Sequence, residues 1–196
     1  MVQRRNDTTL GFTIVELLIV IVVIGILASI SIVAYRGVQE RAHNAKTVTV
    51  VRQYQRILET FAVDNDERLP RANWACLGEI EDYPATDGFD EGWCYKPTPT
   101  TLPLADGEDH PVDLALNERL HTVTPRLPSG KTPSTVAYLG RTYRGIFYDS
   151  SVAGLGNKPA IMYYLKGAQG GCPVGKVQLR GANYTSCLLQ LSSVQE

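Results

Sequence analysis

One carboxylate, Glu16, is planted inside an apolar run that extends from Phe12 to about Ala34. A carboxylate in such a setting is costly unless a cation or several N–H donors answer it, so Glu16 is the first candidate for a functional role. The other reactive residue types are scattered. His43, His110 and His121 lie far apart, and neither H-E-x-x-H nor G-x-S-x-G occurs, so no catalytic constellation is written in the chain and an enzyme is not expected. Two acidic loops carry oxygen ligands of the kind calcium prefers: Asp87, Asp90 and Glu91, and Asp106, Glu108, Asp109 and Asp113. Neither follows the D-x-[DN]-x-[DN]-G spacing of an EF-hand, so they are read as solvated loops and no cofactor is expected. The four cysteines, Cys76, Cys94, Cys172 and Cys187, contain no C-x2-C pair, which argues against zinc. As disulfides they permit three connectivities, of which local pairing gives Cys76–Cys94 and Cys172–Cys187.

The element that positions Glu16 is the run itself. Its roughly 23 residues suffice for a helix across a bilayer core, which needs about 20. Arg4 and Arg5 precede it, and positive charge before a first span holds that end in the cytoplasm. Residues after Tyr35 are therefore expected outside, where an oxidising compartment suits disulfides. Glu16 sits one helical turn into the span, about 6 Å deep, where its carboxylate still reaches the headgroups. With 19 Lys and Arg against 20 Asp and Glu, no strongly basic domain points to nucleic acid.

The stretch Gly11-Phe12-Thr13-Ile14-Val15-Glu16-Leu17-Leu18-Ile19-Val20, continued by residues 21–35, resembles the prepilin motif of type IV pilins and secretion pseudopilins. The resemblance implies cleavage after Gly11 by a prepilin peptidase, N-methylation of the new first residue Phe12, and a role for Glu16 in assembling subunits into a filament. It also implies partners: identical or related pilin subunits and an inner-membrane assembly platform. Nucleic acid would enter only for a DNA-uptake filament. The free amine of Phe12, which exists only after cleavage, is a cation that Glu16 can meet on its own helix or on a neighbour's. Some pseudopilins of this family bind calcium in their heads, which keeps the second acidic loop in view. Val33 stands where the family often has a proline, so a proline kink there is not expected. The leading reading is a structural subunit of a type IV pilus-like surface filament, anchored by a single pass before assembly and extracellular after it. The alternatives are a pseudopilin of a type II secretion or DNA-uptake system, and a membrane-anchored binding protein that never polymerises.

Beyond the span the helix is expected to continue. Val51, Tyr54, Leu58 and Phe61 recur at helical spacing, with Arg41, Lys46, Arg52 and Arg56 on other faces, until the turn formers of DNDERLP end it near Asp64. Residues 111–121 read as a short helix. Strand-like runs follow at 134–140, 142–149, 160–167 and 186–193, separated by glycine-rich turns. Tyr138, Tyr143, Tyr148, Tyr163, Tyr164 and Tyr184 fall near these runs and suit half-buried strand faces. The expected fold is α+β and pilin-like: a leader over 1–11, a transmembrane and assembly helix over 12–35, its amphipathic continuation over 36–64, and a head over 65–196. In that head an antiparallel meander of three or four strands packs on the helix.

Overall fold

A computed structural model describes residues 12–97, 111–138, 141–192 and 194–195. One long helix, α1 (Ile14–Asp64), runs through the predicted span and on into the head. It stops where the sequence turns polar, and Asp66 and Glu67 take left-handed backbone angles (φ 54° and 62°) just past its end. The described residues divide into two compact units, one ending at Gln39 and the other beginning at Glu40.

In the first unit α1 carries its apolar side chains bare. Phe12, Ile14 and the Leu, Ile and Val residues that follow as far as Ile32 are exposed. The helix is long and apolar enough to cross a membrane. In the second unit the same helix is amphipathic, and Val51, Tyr54 and Leu58 are wholly buried, with Phe61 and Ala62 beside them.

The partner of that stripe is a five-stranded sheet in the order β2-β6-β7-β9-β8. Its strands are β2 (Ala75–Cys76), β6 (Phe147–Val152), β7 (Lys158–Lys166), β8 (Lys176–Arg180) and β9 (Tyr184–Gln190). The central strand β7 is buried from end to end between two exposed lysines. Its alternation divides the core in two. Ile161, Tyr163 and Leu165 join Tyr148, Cys187 and Leu189 in the cluster that holds the α1 stripe. Ala160, Met162 and Tyr164 join Phe147 and Leu188 in a second cluster. This second cluster is shared with a three-stranded sheet, β3-β5-β4, built from β3 (Tyr95–Pro97), β4 (Lys131–Tyr138) and β5 (Arg141–Gly145). Tyr143 of β5 stacks on Tyr164 at 4.5 Å and meets Phe147 edge-on at 5.5 Å, favourable geometries for aromatic pairs. Finally β1 (Arg68–Leu69) pairs in parallel with β10 (Val194–Gln195).

The expected architecture, a long N-terminal helix packed on antiparallel sheet in an α+β fold, is the observed one. Its details differ. The sheet on the helix has five strands rather than three or four, and a second sheet covers its far face. The run 142–149 is two strands, not one, and they belong to different sheets. The break falls at Gly145, where an added Cβ would lie 2.5 Å from Cys94 Cβ, so only glycine lets the chain pass Cys94 as it changes sheets. Residues 176–180, expected as connection, form the edge strand β8. The short helix within 111–121 is α2 (Leu114–Leu120). Tyr143, Tyr148, Tyr163 and Tyr164 are buried, not half-buried, because both faces of the sheet are covered. The side chain of Tyr138 lies outside the described residues.

Candidate functional site

At the start of α1 the sequence Thr13-Ile14-Val15-Glu16 closes on itself. The Thr13 amide and hydroxyl both donate to Glu16 Oε2, at 2.9 and 2.7 Å, and the Glu16 amide donates to Thr13 Oγ1 at 3.2 Å. This is a reciprocal capping box, the T-x-x-E arrangement that satisfies backbone donors left open at a helix start. Such donors matter most in an apolar medium, where no water replaces a missing acceptor. The T-x-x-E signal is visible in the sequence, although the apolar surroundings of Glu16 point to long-range partners. Glu16 Oε1 takes none of these bonds. Phe12 directly precedes the cap and is exposed. Gly11 and the rest of the leader lie outside the described residues.

In the head the cysteines are joined as Cys76–Cys94 and Cys172–Cys187, each with Cα atoms 5.8 Å apart. The first bridge closes a loop that holds Asp87, Asp90 and Glu91. Beneath this loop lies Arg144 of β5, only 3% exposed. Its Nε donates to the Trp93 carbonyl at 2.8 Å, Nη1 to Thr86 Oγ1 at 3.2 Å and Nη2 to the Asp90 carbonyl at 3.2 Å. The guanidinium also lies 4.2 Å from the centroid of the Phe89 ring. Burial lowers the Arg144 pKa, opposed by Tyr83 and Asp87. A planar fork with three directed donors suits this task in a way a lysine would not. Pattern gave no hint of it, since Arg144 looks like any polar residue in a strand.

Several buried tyrosines complete the frame. The Tyr83 hydroxyl donates to the Leu77 carbonyl at 2.7 Å, and burial drives its pKa upward. Tyr148 donates to the Pro70 carbonyl and Tyr54 to the Pro128 carbonyl, and burial raises both. Burial pushes Tyr163 up to about 12, although its bond to the Val174 carbonyl works the other way.

Of the second acidic loop, Asp106, Glu108 and Asp109 lie outside the described residues. Asp113 is the N-cap of α2 and accepts from the Leu116 amide at 3.1 Å. Among the described residues no group of three His, Cys, Asp or Glu side chains is placed to hold a metal. His121 contacts Glu79 at 3.0 Å, and its other ring nitrogen faces the Thr124 carbonyl at 3.2 Å. His43 lies half-buried on α1, and His110 is outside the described residues.

The chain is 36% identical to type II secretion system core protein G of Escherichia coli (strain K12) over 63 residues, which is 32% of this chain and 43% of the relative. It is 32% identical to the protein of that name from Vibrio cholerae serotype O1 over 98 residues, half of this chain and 56% of the relative. With the Aeromonas hydrophila protein it shares 34% over 64 residues, covering 43% of that relative. The chain thus spans about half the length of the curated relatives it matches. These relatives are pseudopilins of the type IV pilin-like family, and the resemblance carried by residues 11–35 is borne out. No family model matches the chain. No solved structure matches it.

Proposed function

We propose that the chain is a prepilin-type structural subunit, cut after Gly11 and packed through α1 into the filament of a secretion machine. The carrying observation is the prepilin-type motif at the head of a bare apolar helix, on a chain whose curated relatives are named for type II secretion. Those names favour the pseudopilin over the pilus-like surface filament that the motif first suggested, and a short filament between membrane and exterior is the reading adopted. The subunit works by packing and catalyses nothing.

In this reading the uncut chain waits in the membrane by its single span, with its head outside. Cleavage replaces an amide at Phe12 with an ammonium, one residue before the Thr13 cap. Glu16 Oε2 is engaged by Thr13, and Oε1 remains to meet that ammonium on the same helix or on a neighbour's. The bare side chains of residues 12–32 exchange lipid for the same surfaces of other copies. The peptidase, the assembly platform and methylation of Phe12 are parts of the proposal.

The test uses one variant and two readouts. Mass spectrometry of the mature wild-type protein is expected to find Phe12 first, carrying a methyl group. Glu16→Leu is expected to insert and to be cut, because the span becomes more apolar and Gly11 is unchanged, yet to leave little protein in the sheared filament fraction. An intact leader in wild-type filaments overturns the processing reading. Normal filament yield from Glu16→Leu overturns the assembly role of the carboxylate.

A further inference from the structure

The near balance of charge over the whole chain conceals a strong segregation along it. Between residues 41 and 56 there are four cations, Arg41, Lys46, Arg52 and Arg56, and no carboxylate. Between 59 and 91 there are ten carboxylates and two arginines. The fold turns this segregation into two surfaces. Arg41, Arg52 and Arg56 fall within about 60° of one another around α1, given 100° per residue, and about 80° to 160° from the members of the buried Val51–Tyr54–Leu58 stripe. All three are exposed, and the ridge they form is about 22 Å long. Among the described residues no carboxylate lies within ion-pairing distance of any of them. Arg52 and Arg56 stand one turn apart, a like-charge spacing that disfavours the isolated helix.

The second surface is the loop between Cys76 and Cys94, which exposes Glu81, Asp87, Asp90 and Glu91. Its backbone is fixed from within. The disulfide closes it, the Gly92 amide donates to the Tyr83 carbonyl at 2.8 Å, and Arg144 holds Thr86, Asp90 and Trp93. The buried guanidinium engages carbonyl and hydroxyl oxygens, not these carboxylates, and Glu81 shares a cleft with Lys46 and Arg126 of its own chain without an ion pair among the described residues. Gly92 comes close enough to Ile80 that an added Cβ would touch it at 3.7 Å, which brings Glu81 and Glu91, the neighbours of those two residues, to one part of the surface.

We propose that the arginine ridge of α1 docks on the acidic loop of a second copy of this chain. The second copy is the occupant because it brings a rigid carboxylate surface of opposite sign, so little is lost in ordering it. Glu81 lines one cleft with Lys46, Val50 and Gln53 of its own chain, yet no described carboxylate pairs with Arg41, Arg52 or Arg56, so the contact is heterologous: each copy offers a ridge to one neighbour and a loop to another. A heterologous contact that does not close on itself propagates as a helical filament. The proposal rests on the filament reading above and deepens it by naming a head-to-head contact. Individually weak exposed ion pairs become effective there, because α1 packing already holds the heads at high local concentration.

The experiment uses the full chain in its native membrane, with two independent readouts. Two differently tagged copies, one with Arg52→Cys and the other with Glu91→Cys, are treated with a short bismaleimide. A mixed cross-linked dimer is expected, and none when Lys176→Cys on the edge strand replaces Glu91→Cys. In parallel, Arg52→Glu with Arg56→Glu is expected to lower the sheared filament fraction about tenfold, as is Glu81→Lys with Glu91→Lys. The four changes together are expected to restore the fraction. Non-reducing gels and thermal melts show that each variant folds. Absence of the mixed dimer, or reversed charges without loss or without rescue, overturns the contact. Retention of the wild-type chain on duplex DNA that Arg52→Glu with Arg56→Glu abolishes, together with no rescue of filaments by the fourfold variant, also overturns it and assigns the ridge to a polyanion. A mixed dimer of the Arg52→Cys and Glu91→Cys copies, with a wild-type chain that never sediments as filament, overturns the filament reading and leaves the contact standing.

Discussion

Replacing Arg144 with methionine separates the loop's own stability from that of the core. Methionine keeps the unbranched apolar stem of arginine, ends about where Nε stands, and removes the three directed donors. Three acceptors lose their partner, the carbonyls of Trp93 and Asp90 and the Thr86 hydroxyl. Hydrogen bonds from a charged donor contribute about 1.5 to 3 kcal/mol each, and the contact with Phe89 adds about 1. Against this, the variant no longer has to keep a buried cation out of water, which costs several kcal/mol. The thioether also retains part of the ring contact. The net is a loss of about 3 kcal/mol, equivalent to about 6 to 12 °C in Tm for a domain of this size. The effect is local in origin. In hydrogen exchange of the full chain in detergent, the Gly92 and Trp93 amides, now bonded to Tyr83 and Asp90 carbonyls, are expected to lose protection. The β7 amides around Tyr163 are expected to lose only what the global change dictates. Arg144→Lys is expected to fall between, since one ammonium cannot span three acceptors. A Tm within 2 °C of wild type, with unchanged Gly92 exchange, refutes the idea that Arg144 braces the loop.

Three further outcomes follow from the frame of the head. Non-reduced peptide mapping is expected to recover Cys76 joined to Cys94 and Cys172 joined to Cys187, and a Cys94–Cys172 peptide would contradict this. Cys172→Ser is expected to cost about 3 kcal/mol, since the bridge spans 15 residues, measured by urea unfolding of the full chain in detergent. Alkaline pH is expected to weaken the head. Tyr54, Tyr83, Tyr148 and Tyr163 are all held neutral by burial, Tyr163 up to about 12. Unfolded tyrosines ionise near 10, so their contribution is intact below that value and declines as pH rises toward the folded values. Thermal melts at pH 8, 10 and 11 check it, and a Tm that holds flat to pH 11 would contradict it.

What could be read from the sequence was whatever repeats with a period. The α1 stripe of Val51, Tyr54, Leu58 and Phe61 declares its buried face at helical spacing, and all four are buried. The alternation of β7 and β9 is equally open, because each residue type faces a fixed side. Elements without a period were hidden. β2 has two residues and β3 three, too short to show any alternation. β8 exposes four of its five side chains, so its sequence carries no apolar face to read. The run 142–149 looked continuous because the reason for its break is Cys94, 51 residues earlier, pressed against Gly145. At the N-terminus the T-x-x-E box is legible in Thr13-Ile14-Val15-Glu16, although the apolar run around Glu16 points instead to a distant cation. Arg144 could not have been singled out, because its partners come from a loop remote in sequence.

The α1 stripe has a further consequence in time. Residues 51–62 leave the ribosome early, yet the strands that cover them, β7 and β9, end at Lys166 and Gln190. More than 100 residues must be made, and on the expected topology carried across the membrane, before the stripe finds its sheet. Contacts this remote in sequence are slow to form, because the intervening chain must first be gathered. During that interval the head is an open amphipathic helix followed by unpaired strands, the state in which chains of this size are most prone to associate wrongly. The order of the sheet adds to the delay, since β9 inserts between β7 and β8 and cannot be bypassed by either. The last described residues, 194 and 195, close the process by pairing with Arg68 and Leu69 just beyond the helix end. The core of this head therefore cannot close until β9 has been made.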